Sequence, residues 1–441
     1  MPRRVLVLLA VLALASCGGS SAGNQGTAAS IQITLLPSSP THSPNSTWWG
    51  YHQSKVVRHG ERVYAGIIEG NAGQLSTGAS FQVYEIGTGG TSLLGSHPSS
   101  RPGNVVVDGV GGVHVLTFEP VDAAVNDSVG SLVHTHYVPA QAGGFLPPTR
   151  TVVESAPDAF TETVNIRIGA TSGPTGSVTV SYGLNSLAGH AGKVMVLWTW
   201  SPAGAWSRRV LEDVGHEYYY PFVVDTGTRV LLLPVQDDWV PGAAPPATAF
   251  NRYYKIPCML AAAGSWSMHM LLDVSTDPLA VGDAQPQLVE QSDLFERSDG
   301  SVLAIYKDKR AVHGLLGGET RFLVRAITDD GMVGDEEELA WAAGLDAAWV
   351  RAFEIDGELF FFASAWQAVF VARAATGQVV GLPLAGWPTG AYPYLSSARG
   401  GAARNAQPWL DVLAPSGNAS NYPAQHTRLY RIPKAAVRAL F

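Results

Sequence analysis

The amino-acid sequence predicts an all-β protein: a single β-propeller of seven four-stranded blades, closed by pairing of its N- and C-terminal strands. Three observations carry this. Glycine and proline are abundant, at 48 and 28 of 441 residues, while charged residues make up only 15 %, against about 25 % in ordinary soluble domains. A strand-turn-strand motif recurs in the middle of the chain. A glycine turn followed by an apolar strand recurs along its whole length.

The motif is Trp206-Ser207-Arg208-Arg209-Val210-Leu211-Glu212-Asp213-Val214, which returns as Trp266-Ser267-Met268-His269-Met270-Leu271-Leu272-Asp273-Val274. Each copy follows a strand-like run, Val194 to Trp200 and Tyr254 to Leu260. A second echo pairs Arg252-Tyr253-Tyr254-Lys255-Ile256-Pro257 with Arg428-Leu429-Tyr430-Arg431-Ile432-Pro433. The turns are His59-Gly60, Gly111-Gly112, Thr175-Gly176, Thr226-Gly227, Asp299-Gly300 and Asp356-Gly357, and strands follow near Val63, Val113, Val178, Val230, Val302 and Leu359. Trp409 to Leu413 has the same character without the glycine. From Val63 to Trp409 the mean period is about 58 residues, long for a compact blade but able to hold inserted loops. Four-stranded units with two apolar faces must stack on neighbours and close into a ring. The last unit supplies Tyr392–Ser396, Trp409–Leu413 and Thr427–Ile432, and its missing outer strand is expected at Ile31–Leu36. Six or eight blades, or a pair of β-sandwiches, are the alternative arrangements.

Ahead of the propeller (residues 31–441), the chain reads as a leader and a tether. Arg3 and Arg4 precede an apolar run from Val5 to Ala15, too short for the roughly 20 residues that span a bilayer. It ends in Leu14-Ala15-Ser16-Cys17, which resembles a bacterial lipobox. That resemblance implies a signal peptide over residues 1–16, lipidation at Cys17, and a flexible tether over residues 17–30. Gly18 after the cysteine implies the outer membrane or cell surface, with the periplasmic side also open. Membrane contact is then expected only through the anchor. With Cys17 lipidated, Cys258 has no disulfide partner and reads as a small buried side chain.

Trp48-Trp49-Gly50-Tyr51-His52-Gln53-Ser54-Lys55-Val56-Val57-Arg58-His59-Gly60-Glu61-Arg62-Val63-Tyr64-Ala65-Gly66 resembles the opening blade of BNR-repeat propellers, the group that holds sialidases and polysaccharide lyases. The likeness of blade architecture covers most of residues 45–433. The resemblance implies a carbohydrate ligand more than any one reaction. No intact S-x-D-x-G-x-x-W box occurs, and Ser201 to Trp206 keeps only part of it. The arginine triad and Tyr–Glu pair of sialidases find no matching positions.

In a propeller the first strands line the axis, so their polar residues are the candidates. These are Trp49, Tyr51, His52, Gln53 and Lys55 in the first unit, His97 and Arg101 in the second, and Asn165 and Arg167 in the third. Later units offer Tyr218, Tyr219 and Tyr220, then Gln287, Arg351, Tyr392 and Tyr394. Acidic sugars call for arginine at the carboxylate, aromatic rings at the sugar faces, and His or Tyr for proton transfer. On that reasoning His52, Tyr219 and Arg167 are the catalytic candidates. Trp49, Tyr51, Gln53, His97, Arg351, Tyr392 and Tyr394 are the substrate-binding ones.

His134-x-His136 puts two imidazoles on one strand face, but two ligands do not make a metal site. Neither a metal nor a cofactor is expected. The acidic run from Asp329-Asp330-Gly331 to Asp335-Glu336-Glu337-Glu338 lacks calcium-loop spacing and reads as a solvated loop. The net charge of −8, without a basic cluster, argues against nucleic acid as a partner. The chain is expected to be a monomer. Two functions stay open: a propeller that binds an acidic polysaccharide, and as an enzyme cleaves it by a lyase or glycosidase reaction, and a non-catalytic scaffold or binding lipoprotein.

Overall fold

A computed structural model describes residues 30–37, 51–69, 80–99, 102–122, 126–155, 168–184, 187–190, 193–211, 217–237, 253–275, 288–312, 318–345, 347–366, 368–388, 393–396, 406–414 and 427–441. They form seven four-stranded antiparallel sheets, the seven blades of a propeller. The inner strands are Val56–His59, Asn104–Val107, Gly169–Ser172, Glu217–Asp225, Val289–Glu296, Ala347–Ile355 and Tyr394–Leu395, for blades 1 to 7. Consecutive inner strands pack side by side from blade 7 through blade 1 and on to blade 6.

The expected closure is present. Gln32–Leu35 pairs antiparallel with Arg428–Pro433, with Gln32 opposite Arg431 and Leu35 opposite Arg428. Blade 7 is thus assembled from both ends of the described chain. All six turn glycines predicted between first and second strands (Gly60, Gly111, Gly176, Gly227, Gly300 and Gly357) have φ between +56° and +88°. A side chain there would strain the backbone, so the turn itself selects glycine. The Trp-Ser motif occupies the outer strands of blades 3 and 4, Trp206–Leu211 and Ser265–Asp273. Only the end of the acidic run departs from the loop expected of it: Glu337–Glu338 is the outer strand of blade 5, paired with Leu323 and Val324.

Apolar burial is divided among the seams. The seven apolar clusters of the described residues lie between adjacent blades, as where Val63, Ile67 and Ile86 of blade 1 meet Leu413 and Leu429 of blade 7, and one of them also reaches Trp349 of a third blade and Tyr51. Strands that face a neighbour on both sides are apolar on both faces; Val302–Asp308 is buried throughout. The seam between blades 7 and 1 adds a fully buried ion pair. Arg58 Nε and Nη2 each lie 2.6 Å from a carboxylate oxygen of Asp411.

Antiparallel order gives the ring two ends. The glycine turns crowd one end, and the inner strands enter at the other. No helix among the described residues is long and apolar enough to cross a membrane.

Candidate functional site

At the entry end, three successive inner strands break register. The irregularities fall between Tyr219 and Phe222 in blade 4, Gln291 and Asp293 in blade 5, and Ala347 and Trp349 in blade 6. Such bulges re-aim side chains and are common beside functional sites. Tyr220 sits in the first of them with φ +52°, a conformation that a bulky residue adopts only when its surroundings enforce it. The enforcing contact is Gln291, whose Nε2 donates to the Tyr220 carbonyl at 2.6 Å, while its Oε1 accepts from the Tyr51 hydroxyl at 3.0 Å.

Aromatic rings gather around Tyr51. Trp349 lies 4.8 Å away between centroids, Tyr220 5.3 Å and Phe222 6.2 Å. His52 is buried against the same group, 5.3 Å from the Tyr220 ring, with Nε2 3.1 Å from the Ile168 carbonyl. The Lys307 ammonium stands 3.3 Å above the Trp349 ring and 2.6 Å from Glu290 Oε2. Burial pulls the Lys307 pKa down to about 8 against the pull of Glu290. Burial alone would raise the Glu290 carboxyl; Lys307 and Lys309 hold it below its ordinary value.

Deeper on the axis, Lys55 donates to the Tyr394 hydroxyl at 3.0 Å and lies 4.6 Å from that ring's centroid. Burial, with the Arg351 charge nearby, lowers the Lys55 pKa to about 7. A cavity of about 10 Å³ adjoins Lys55, Gln53, Arg351 and Tyr394, about the space one water needs. Gln53 Nε2 donates to Pro102 O at 2.5 Å, and its Oε1 is buried without a hydrogen bond.

Arg351 is fully buried, and its donors face protein. Nε reaches Pro393 O at 3.1 Å, Nη1 reaches Ser292 O at 2.5 Å and Asp293 Oδ1 at 3.5 Å, and Nη2 reaches Tyr51 O at 2.7 Å. The side chain thereby ties the entry segments of blades 5, 6, 7 and 1 together. Asp293 is fixed in turn by the Ala352 and Leu294 N–H groups at 2.9 and 3.0 Å.

Of the predicted residues, Tyr51, His52, Gln53, Arg351, Tyr394 and Tyr219 do meet around this end of the channel. Tyr219 is buried in the apolar seam between blades 4 and 5. His97 is placed differently from expectation. It lies near the end of the outer strand of blade 1, Gly90–Pro98, within 3.2 Å of the Tyr137 hydroxyl, and not on a first strand. The inner strand of blade 2 begins only at Asn104, after the proline-containing segment that hides this boundary. Burial and Arg150 lower the His97 pKa to about 4. Trp49, Arg167, Tyr392 and Cys17, with Arg101, Asn165 and Gln287, lie outside the described residues. Sequence reasoning missed Asp293 and the Glu290–Lys307–Trp349 group; a lysine beside an apolar strand end was the only available signal.

A wider cleft of about 690 Å³ lies at the opposite, turn end and is lined by Ser298, Glu354, Asp356, Gln407, Lys434 and Arg438. Its carboxylates are engaged: Glu354 accepts from Ser298 N at 2.8 Å, and Asp356 pairs with Arg438 at 2.5 Å.

Comparison with solved structures returns glycan-cleaving propellers. The polysaccharide lyase Uly1 superposes with TM-score 0.51 at 10 % identity, over 87 % of this chain and 90 % of that one. A family PL25 ulvan lyase bound to -[GlcA(1-4)Rha3S]- gives 0.54 at 10 % identity, over 91 % and 96 %. A second PL25 ulvan lyase structure gives 0.53 at 9 % identity, over 91 % and 96 %. The likeness is one of fold. No protein-family model matches the chain, and no curated protein does.

Proposed function

We propose that this chain is a glycan-acting propeller whose ligand is an acidic polysaccharide seated over the entry ends of blades 1, 4, 5 and 6. One observation carries the reading: Lys55, whose pKa is lowered to about 7, shares a hydrogen bond with the Tyr394 hydroxyl on the axis. Around that pair stand the rings of Tyr51, Tyr220 and Trp349. Flat rings suit sugar faces, and the Glu290–Lys307–Lys309 group, with one more positive than negative charge, suits a carboxylate-bearing chain. An amine that titrates near neutrality can accept a proton at working pH. In a uronate β-elimination it would take the proton α to the carboxylate through one water, the size of the space beside it; a carbon–carbon double bond would form as the C–O bond to the leaving sugar breaks, and that oxygen would take a proton from water. Fold alone assigns no reaction, but the lyases that share this fold make elimination the first reaction to test.

A second reading is supported by a specific observation. Arg351 spends its donors on protein, and the space beside Lys55 is only about the size of one water, as expected of a non-catalytic propeller that binds glycans or proteins on its rim. A panel of uronate-containing and sialylated glycans, followed by unsaturated-uronate absorbance, reducing-sugar release and direct binding, separates the two. Turnover supports the enzyme. Binding without turnover, or neither, moves the assignment to the second reading.

We further infer that the chain is exported and held at the cell envelope by lipid on Cys17, with residues 17–30 as tether. The lipobox-like Leu14-Ala15-Ser16-Cys17 supports this. Cys17→Ala should abolish incorporation of labelled fatty acid and shift the protein out of the membrane fraction; an unchanged distribution refutes it.

A further inference from the structure

Blade 2 carries a side-chain cluster that the channel does not use. His134 and His136 alternate along the third strand, Asn126–Tyr137, and their rings stand 5.8 Å apart on one face. Strand register sets His114 of the second strand opposite His136, with ring centroids 4.1 Å apart. Asp108 closes the turn before that strand. Its Oδ1 accepts the N–H groups of Val110 and Gly112 at 3.0 and 2.7 Å, which leaves Oδ2 facing His114 Nε2 at 3.2 Å. One ligand atom from each of Asp108, His114 and His136 lies within 4.8 Å of the other two.

Four features point to a cation. Ligand atoms around a four-coordinate Zn²⁺ with bonds of about 2.0–2.1 Å sit roughly 3.3 Å apart. The Asp108–His114 pair is already at 3.2 Å; His136, stacked on His114 with ring planes 11° apart, turns out of that stack to aim a nitrogen at the same point. His136 Nε2 is buried without a hydrogen bond, a costly state that coordination relieves. Gly112 keeps the meeting point open: a Cβ there would lie 2.5 Å from Asp108 Oδ2 and 2.8 Å from His136 Nε2. Finally, His114 Nδ1 lies 2.8 Å from His134 Nε2. With His114 Nε2 on a metal, its Nδ1–H donates to that nitrogen, the kind of outer partner that fixes a ligating imidazole. The indole of Trp200, on blade 3, walls the group at 4.7 Å from His114 and 5.1 Å from His136.

We propose that Asp108, His114 and His136 bind one divalent late first-row transition ion of the Zn²⁺ class, with His134 as the residue that positions His114. Nitrogen ligands select such ions over Ca²⁺ and Mg²⁺. Three protein ligands leave a fourth position for water or a small ligand. The site is independent of the glycan reading.

The test is titration of the metal-stripped full-length protein with Co²⁺, read by visible ligand-field absorption and tryptophan quenching, followed by displacement with Zn²⁺. One equivalent per chain is expected, with Zn²⁺ raising the melting temperature. His136→Ala and Gly112→Ala should each abolish the absorption and the thermal shift, while His269→Ala, on the outer strand of blade 4, retains both. Circular dichroism shows that each variant is folded, and His136→Gln serves if His136→Ala is not. No uptake by the wild type, or uptake that survives in a folded His136 variant, overturns the proposal.

Discussion

Breaking the Arg58–Asp411 pair tests how the ring is held shut. Arg58 makes two 2.6 Å bonds to the carboxylate, its Nη1 also donates to Gly60 O at 3.0 Å, and both side chains are essentially inaccessible. Removing one member of such a pair leaves a buried charge and costs about 3–5 kcal/mol. In Arg58→Met, Asp411 keeps the Ser396 hydroxyl at 3.0 Å and Arg431 Nε at 3.9 Å, so the loss should fall near 3 kcal/mol. In Asp411→Leu, the Arg58 guanidinium keeps only Gly60 O and the Trp409 ring, 5.9 Å away, so the loss should approach 5 kcal/mol. The double variant Arg58→Met/Asp411→Leu strands neither charge and should lose much less than the sum of the singles. Equilibrium urea unfolding at pH 7 measures all four proteins. Single-variant losses below about 1 kcal/mol, the scale of an exposed pair, or an additive double variant would show that the pair does not hold this seam.

Three further outcomes follow from burial. Lys55 has its pKa lowered from 10.5 to about 7, so between these values the unfolded chain binds more protons than the folded one and stability rises with pH. The burial cost is fully expressed below pH 7, at about 1.4 kcal/mol per tenfold change in proton affinity. Lys55→Met should therefore be more stable than the wild type at pH 6, with the gap narrowing towards pH 10; a constant gap in urea midpoints contradicts this. Gly169 on the inner strand of blade 3 has no room for a methyl group against the Pro221 carbonyl of blade 4. Overpacking against backbone should cost Gly169→Ala about 1–3 kcal/mol or more, and an unshifted melting temperature would count against so tight a seam. Cys258 is buried, which pushes its thiol pKa up to about 12. It should resist thiol reagents at pH 8 until the protein unfolds, and rapid labelling of folded protein would show the strand to be accessible.

The blade plan was legible because its determinants are local. Each turn needs a positive φ at Gly60, Gly111, Gly176, Gly227, Gly300 and Gly357, and each second strand follows directly as an apolar run. Closure was legible too, since Ile31–Leu36 is the one short apolar strand ahead of blade 1 that could complete blade 7. The channel was legible only in part. Which side chain faces the axis depends on bulges at Tyr220, Ser292 and Ala348, and a bulge leaves no periodic trace. Arg351 reads as a free cation in sequence, yet becomes a cross-blade tie because three carbonyls from three blades converge on it. The blade 2 cluster shows the same limit. His134 and His136 share a face by alternation alone, while His114 and Asp108 join them through strand register and turn geometry.

The proposed elimination assigns proton transfer to Lys55, which is hydrogen-bonded to the Tyr394 hydroxyl. The most direct measurement is the pH dependence of turnover on uronate oligosaccharides by the wild type, Lys55→Met and Tyr394→Phe, each shown to be folded. Wild-type turnover should rise through pH about 7, following the Lys55 pKa, and should fall at least 100-fold in Lys55→Met, the lower end of a general acid–base contribution of about 10²–10⁴. Undiminished turnover in a folded Lys55→Met protein, or a profile flat through neutrality, would contradict it.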